Sequence, residues 1–201
     1  MNKTFLNMGK FAASVVLLPI AWAAGVAFHQ YVNRLPGTDG DFFFWGMFGF
    51  VCIFLFFYQF WGVYEFGQRM VSGLLQFTTP ANHFIAKIVP FYVTLILLLF
   101  YVFKHFLNVD HYDHYFMFFA GFTFTMHVLL TAQDLQENEK VFIKPTYLFT
   151  MVCAFILMIF FIVLLFNLVL KEFTFLDFMG TTMDDALGVY HFVLRKIFRL
   201  N

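Results

Sequence analysis

The chain has 201 residues, of which 62% are hydrophobic and only 12% are charged, and phenylalanine alone occupies 35 positions. This composition excludes a soluble domain and a disordered chain, because too few polar residues remain to cover a folded surface or to solvate an open chain. Two cysteines do not build a disulfide scaffold, and a formal net charge of zero offers no attraction to nucleic acid. We therefore expect a polytopic membrane protein.

Apolar runs long enough to cross about 30 Å of hydrocarbon recur along the chain. We predict an all-α fold with about five transmembrane helices, over residues 11–31, 42–64, 85–103, 115–133 and 147–170. The first run follows basic residues, as in a signal peptide, and we expect it to remain as a span or an uncleaved anchor. Trp45 and Trp61 lie near the ends of the second span, where an aromatic belt would place them.

The basic residues of the short connections predict the orientation of the chain. With the N-terminus in the cytoplasm, two basic residues lie in outer loops, Arg34 and Lys104, and six lie on the inner side. The inner residues are Lys3, Lys10, Arg69, Lys87, Lys140 and Lys144. Five spans then leave residues 171–201 outside, although this tail carries four further basic residues.

The tail, residues 171–201, is predicted to form a C-terminal amphipathic helix, because its apolar residues recur at helical spacing. Thr182 and Asp185 form a Thr-x-x-Asp pattern that is typical of a helix start. Basic residues end the segment, which complements the helix dipole. We interpret the tail as an interfacial helix that lies on the membrane surface or against a partner subunit. A helix folded back onto its own bundle fits the pattern equally well.

Two sets of polar residues recur at helical spacing towards the inner side of the membrane. The sets are Glu65, Gln68, Arg69 and Ser72 after the second span, and Thr123, His127, Thr131 and Asp134 on the fourth. Each set shares one helix face, and an ionisable group in lipid needs a partner. We predict a buried polar contact between the sets, with Arg69 paired to Asp134 or Glu65. Gly121 and Ala120 should let a neighbouring helix approach closely.

Other interpretations of these two sets stay open. His127 is either a neutral side chain that hydrogen-bonds another helix or a functional ligand or proton carrier. Glu65, Arg69 and Ser72 are either members of the buried contact or ordinary interfacial residues that extend to water.

The outer loop before the fourth span carries potential metal ligands, namely His105, Asp110, His111, Asp113 and His114. Imidazole and carboxylate groups suit zinc or copper, but a solvated loop rich in these residues needs no metal. The main expectation is therefore that the chain holds no metal and no other cofactor. A redox or metal-handling membrane protein that uses this loop, or His127 with His29, is the alternative function.

The segment YEFGQRMVSGL at residues 64–74 is followed by IVPFY at residues 88–92 and FAGFTFTMH at residues 119–127. In these segments the chain resembles the bacterial site-2-protease-like membrane proteins, over roughly residues 55 to 170. This family comprises intramembrane zinc metalloproteases whose signature helix carries His-Glu-x-x-His. The resemblance implies a helical membrane scaffold in a bacterial inner membrane.

The catalytic residues of that signature are replaced in this chain. Zinc hydrolysis needs two histidines one helical turn apart and a glutamate that takes a proton from the bound water. Gln68, Arg69 and Ser72 stand at the positions of the first histidine, the glutamate and the second histidine. The resemblance therefore implies a pseudoprotease without catalytic residues. We expect a non-catalytic membrane subunit that anchors or assembles a larger complex and contacts lipids and other subunits, identical or different.

Overall fold

The structure is a computed structural model that describes residues 3–57, 60–78, 82–106, 112–137, 145–170 and 174–198. Every regular element in these ranges is helical. The α-helices are α1 (Lys3–Asn33), α2 (Asp39–Phe57), α3 (Trp61–Leu74), α4 (Asn82–Ile88), α5 (Phe91–Phe106), α6 (Asp113–Glu137), α7 (Pro145–Leu170) and α8 (Phe175–Phe198). Four of them, α1, α2, α6 and α7, are long and apolar enough to cross a membrane, and α5 is a shorter apolar helix. The prediction of an all-α polytopic membrane protein is confirmed.

The segment predicted as the second span is divided between two helices. α2 ends at Phe57, and α3 is a separate amphipathic helix. One face of α3 is buried against the bundle through Tyr64, Gly67 and Val71. A second face is apolar and exposed, with Val63, Phe66, Met70 and Leu74 on it. The polar residues after Tyr64 prevent a continuous apolar span, so α3 has the pattern of a helix at the membrane interface.

The segment predicted as the third span is also divided, at Val89 and Pro90 between α4 and α5. Proline has no backbone N–H, so Pro90 cannot donate to the carbonyl of Ala86 as a residue within a helix would. The chain starts again at Phe91, and the carbonyl of Pro90 accepts the backbone N–H and the hydroxyl of Thr94. The apolar helix of this region is therefore α5, which begins later than the predicted residue 85.

α2 and α6 run in the same direction and approach each other closely. The ring of Phe42 lies 4.9 Å from that of His114, and the ring of Phe50 lies 5.1 Å from that of Phe122. A Cβ on Gly121 would lie 2.8 Å from the carbonyl carbon of Phe43 and still closer to its oxygen. The close approach predicted at Gly121 is confirmed, and α2 is the helix that makes it.

Gly46 makes the reciprocal contact from the side of α2. A Cβ on this residue would lie 2.8 Å from the carbonyl carbon of Phe118 and 2.9 Å from the backbone nitrogen of Phe122, both on α6. The two helices therefore touch backbone to backbone, which only glycine permits at these two positions.

α8 returns along α1 in the opposite direction. The ring of Phe178, near the start of α8, contacts the ring of Tyr31 near the end of α1, with 6.2 Å between centroids. Towards the other end, the Tyr190 hydroxyl donates to the carbonyl of Val16. The 24 residues of α8 span about 36 Å, and this helix is not among the four that are long and apolar enough to cross a membrane. Of the two arrangements that the sequence leaves open, the helix folded back onto its own bundle is the one observed.

The start of α8 also differs from the prediction. The Thr174 hydroxyl accepts the backbone N–H of Asp177 at 3.2 Å, so the cap uses the earlier Thr-x-x-Asp pattern. Thr182 lies inside the helix and is buried. The two patterns are alike in sequence, and the apolar face that packs on α1 includes Phe178, which lies before Thr182.

Because α8 runs back along α1, we expect residues 1 and 201 on one side of the membrane, whereas the sequence alone predicts the tail on the opposite side. Reporter fusions after Lys144 and after Asn201 should report the same side, and a fusion within the α1–α2 connection, after Gly37, the opposite one. The basic residues Arg195 and Lys196 then join those at the start of α1. A C-terminal reporter on the side of the Gly37 fusion would contradict this arrangement.

Candidate functional site

Polar side chains from α3, α4 and α6 meet at the end of α6, in a group that we call the polar cluster: Tyr64, Lys87, His127, Thr131 and Asp134. The Tyr64 and Thr131 hydroxyls are 3.0 Å apart, and the Lys87 Nζ lies 2.6 Å from the Asp134 Oδ2. The His127 Nε2 lies 2.9 Å from the backbone carbonyl oxygen of Lys87. The three α6 residues are spaced four and three positions apart, which places them on one helix face.

The break between α4 and α5 makes the carbonyl of Lys87 available to His127. In a continuous helix this carbonyl would accept the N–H of Phe91, four residues later. Because Phe91 begins a new helix, the carbonyl accepts from His127 instead. A carbonyl oxygen only accepts, so Nε2 is the nitrogen of His127 that carries the proton. The histidine therefore holds the end of α4 against α6.

Tyr64 connects α3 to the same face of α6. The residue is 3% exposed, and its ring lies 5.8 Å from that of His127. Tyr64 lies outside the four spanning helices, and its burial raises the pKa of the phenol because the charged phenolate is disfavoured there. The hydroxyl therefore keeps its proton and is available as a donor to Thr131.

Of the two predicted partners of Arg69, the structure shows Glu65 and not Asp134. The Arg69 Nη2 contacts the Glu65 Oε2 at 2.8 Å within α3, and the two side chains are 78% and 44% exposed. Glu65 also accepts the Trp61 indole N–H at 2.9 Å. The cation at Asp134 is Lys87 instead. The physical reason is the separate helix α3, which turns its Tyr64 face towards α6 and its charged face away.

The other predicted members of the contact lie around the polar cluster. Gln68 and Ser72 are half-buried on α3, and the backbone carbonyl of Ser72 accepts the Asn82 side-chain N–H at 2.9 Å. The Thr123 hydroxyl donates to the carbonyl of Phe119 in its own helix. Of the eight residues predicted, His127, Thr131 and Asp134 thus belong to the cluster.

Sequence reasoning missed Tyr64 and Lys87. The charge pattern places Lys87 only among the inner basic residues, and the apolar pattern places Tyr64 only at the end of a span. The signal that points to Lys87 is Pro90 three positions later, because a proline in an apolar run frees backbone carbonyls that need donors.

The predicted outer metal ligands are only partly described by the structure, since Asp110 and His111 lie outside the described residues. Asp113 contacts the Lys104 Nζ at 3.2 Å, and the ring of His114 lies 4.3 Å from that of Tyr115. The ring of His105 is parallel to that of Tyr101 at 5.7 Å. In the ranges that the structure describes, no three His, Cys, Asp or Glu side chains lie close enough to share a metal ion.

His29, the proposed companion of His127, lies near the end of α1 away from the polar cluster. Its ring is 5.0 Å from that of Phe44, and it contacts the Asn33 amide at 3.3 Å. His29 packs beside the start of α2, whereas His127 packs against α4. The two histidines therefore do not form one site.

The contacts of the polar cluster run from one helix to another and join α3, α4 and α6. The arrangement can hold these helices in register. No known protein family, curated protein or solved structure shows significant similarity to this chain.

Proposed function

We propose that the chain is a non-catalytic integral membrane subunit that anchors or assembles a larger membrane complex. The polar cluster supports a non-catalytic, structural role, because its polar atoms bind neighbouring helices of the same chain. Its role is to hold α3 and α4 against α6.

The observation that carries the proposal is a carboxylate on the exposed side of α8. Asp184 is exposed, and it lies between Phe178, which contacts Tyr31, and Tyr190, which contacts Val16. Asp184 is therefore level with Ala23 and Ala24, within the apolar part of α1. A charged side chain at the centre of a bilayer costs about 2.5–3.5 kcal/mol on insertion scales. A neighbouring subunit that covers this side of α8 would remove the carboxylate from lipid.

The resemblance to site-2-protease-like proteins is part of the proposal, as a pseudoprotease scaffold in a bacterial inner membrane. It rests on the sequence of α3 and of the segments after it. In α3, Gln68, Arg69 and Ser72 provide no zinc ligands of the family type.

A cytoplasmic N-terminus is proposed on the distribution of charge. With α8 running back beside α1, nine of the 12 Lys and Arg residues lie on the same side of the membrane as the N-terminus. The other three are Arg34, Lys104 and Lys171. The excess of basic residues marks the cytoplasmic side of a membrane protein.

Gentle detergent extraction followed by native mass measurement tests the proposal. We expect a particle that contains this chain together with further protein subunits in fixed ratio. Dilution of detergent-solubilised material should leave the ratio unchanged, whereas adventitious companions would be lost. A particle that holds a single copy of the chain and lipid alone would overturn the proposal.

A further inference from the structure

We infer that the outward side of α8 binds a transmembrane helix of a different protein, and that this helix carries a lysine or arginine at mid-depth. The inference rests on the proposed function and names the chemistry of the partner. The surface concerned, which we call the α8 face, comprises exposed residues at helical spacing: Gly180, Met183, Asp184, Leu187, Gly188 and His191.

Because the α8 face carries a carboxylate at the depth of the apolar part of α1, lipid tails cannot be its only neighbour. α8 follows α1 from Tyr31 to Val16, and Asp184 lies halfway between these two contacts. α1 is one of the four helices apolar enough to cross a membrane, so its middle lies in hydrocarbon. Ionisable residues at this depth face the interior of an assembly and pair with an opposite charge.

The residues on either side of Asp184 allow another helix to come close. Gly180 and Gly188 each lie one turn from the aspartate on the same side of α8, and a Cβ added to either would meet nothing within 4 Å. Small residues at this spacing let two helix backbones approach in a membrane. Met183 and Leu187, 60% and 45% exposed, flank the stripe with apolar contact surface.

A second copy of the chain does not supply the opposite charge. None of the 12 Lys and Arg residues lies within residues 11–33, 39–57, 88–103, 113–137, 145–170 or 172–194, so none lies at the middle of a long apolar helix. Two copies related by an axis along the membrane normal would also place Asp184 against Asp184. The cation must therefore come from a different protein, in which a mid-depth lysine or arginine forms a charge-assisted hydrogen bond with the carboxylate.

The experiment uses the full chain, labelled with a fluorescence donor at its C-terminus, in phosphatidylcholine vesicles. The probe is a synthetic leucine-rich helix of about 20 residues with one central lysine and an acceptor label, and the matched control peptide has leucine at that position. We expect the lysine peptide to bind about tenfold more tightly than the leucine peptide, as one interhelical charged hydrogen bond allows.

Two variants separate the α8 face from general attraction to acidic residues. Asp184→Asn should lower binding of the lysine peptide to that of the leucine peptide. Asp177→Asn should leave the difference intact, because Asp177 is exposed two turns away on the same side, at the level of the end of α1. Retained helical circular dichroism checks that both variants fold.

Equal binding of the two peptides, or binding that Asp184→Asn leaves unchanged, would overturn the inference. Energy transfer between two labelled copies of this chain that Asp184→Asn removes would also overturn it, in favour of self-association. These failures are distinct from failure of the proposed function. A multisubunit native particle with a negative peptide result rejects only the basic partner helix.

Discussion

Replacement of Gly121 by alanine is expected to separate α2 from α6 and to prevent a stable fold. The new methyl group would fall on the carbonyl group of Phe43, which belongs to a helix backbone and cannot rotate aside. The helices must move apart, and the aromatic contacts between Phe50 and Phe122 would then be lost along the interface. We expect the free energy of unfolding to fall by about 3 kcal/mol or more, the upper end for overpacked cores.

Thermal unfolding in detergent, followed by circular dichroism, measures this effect, and Gly46→Ala should behave in the same way. Gly25→Ala is the matched control, because Gly25 also lies in a spanning helix and a Cβ there would meet nothing within 4 Å. Alanine is the better helix former, so the control should unfold at the same or a slightly higher temperature. Equal melting temperatures for all three variants would mean that the close approach of α2 and α6 is wrong.

Replacement of Lys87 by methionine should destabilise the fold more than any single change among the charged residues of α3. The Lys87 and Asp134 side chains are 18% and 28% exposed, and their charged atoms are 2.6 Å apart. Methionine keeps the length of the side chain but removes the cation, which leaves a carboxylate in a poorly solvated place. We expect a loss of about 1–3 kcal/mol in the free energy of unfolding, below the range for fully buried pairs.

Arg69→Met is the control for this change, because Arg69 pairs with Glu65 where the two side chains are 78% and 44% exposed. Its loss should change the free energy of unfolding by less than about 1 kcal/mol. Adding Asp134→Leu to Lys87→Met should recover part of the lost stability, since an apolar pair replaces an unbalanced charge. An Arg69→Met variant less stable than Lys87→Met would contradict this assignment and favour Arg69 as the cation at Asp134.

The long apolar helices could be predicted because hydrocarbon thickness alone sets their length. α6 and α7 extend the predicted spans by only a few residues, because both segments are apolar over the length of a span. Gly121 was predictable for a related reason, since small residues at a membrane helix interface have few other uses. The length of an apolar helix and the position of a small residue within it can both be read from a local stretch of sequence.

The polar cluster was less predictable because it depends on which face each helix turns inward. His127 and Lys87 are 40 positions apart, and Tyr64 and Thr131 are 67 apart. The period of polar residues showed that Arg69 and Glu65 share a face, but it could not show that α3 turns a different face to α6. The chain changes direction near Phe57 and at Pro90, and these two breaks set the orientations of α3 and α4 against α6. The spacing of residues within one helix carries no information about such changes of direction.

The contact between α1 and α8 joins two helices that are far apart in the chain, so the ribosome makes α1 well before α8. Val16 and Tyr190 are 174 positions apart, so α1 is in the membrane before the residue that binds its backbone has been made. Until α8 has been made, the side of α1 that it covers is open to other membrane helices. Synthesis of α8 therefore sets the moment at which this part of the bundle closes, and a chain truncated before Phe175 would leave α1 uncovered.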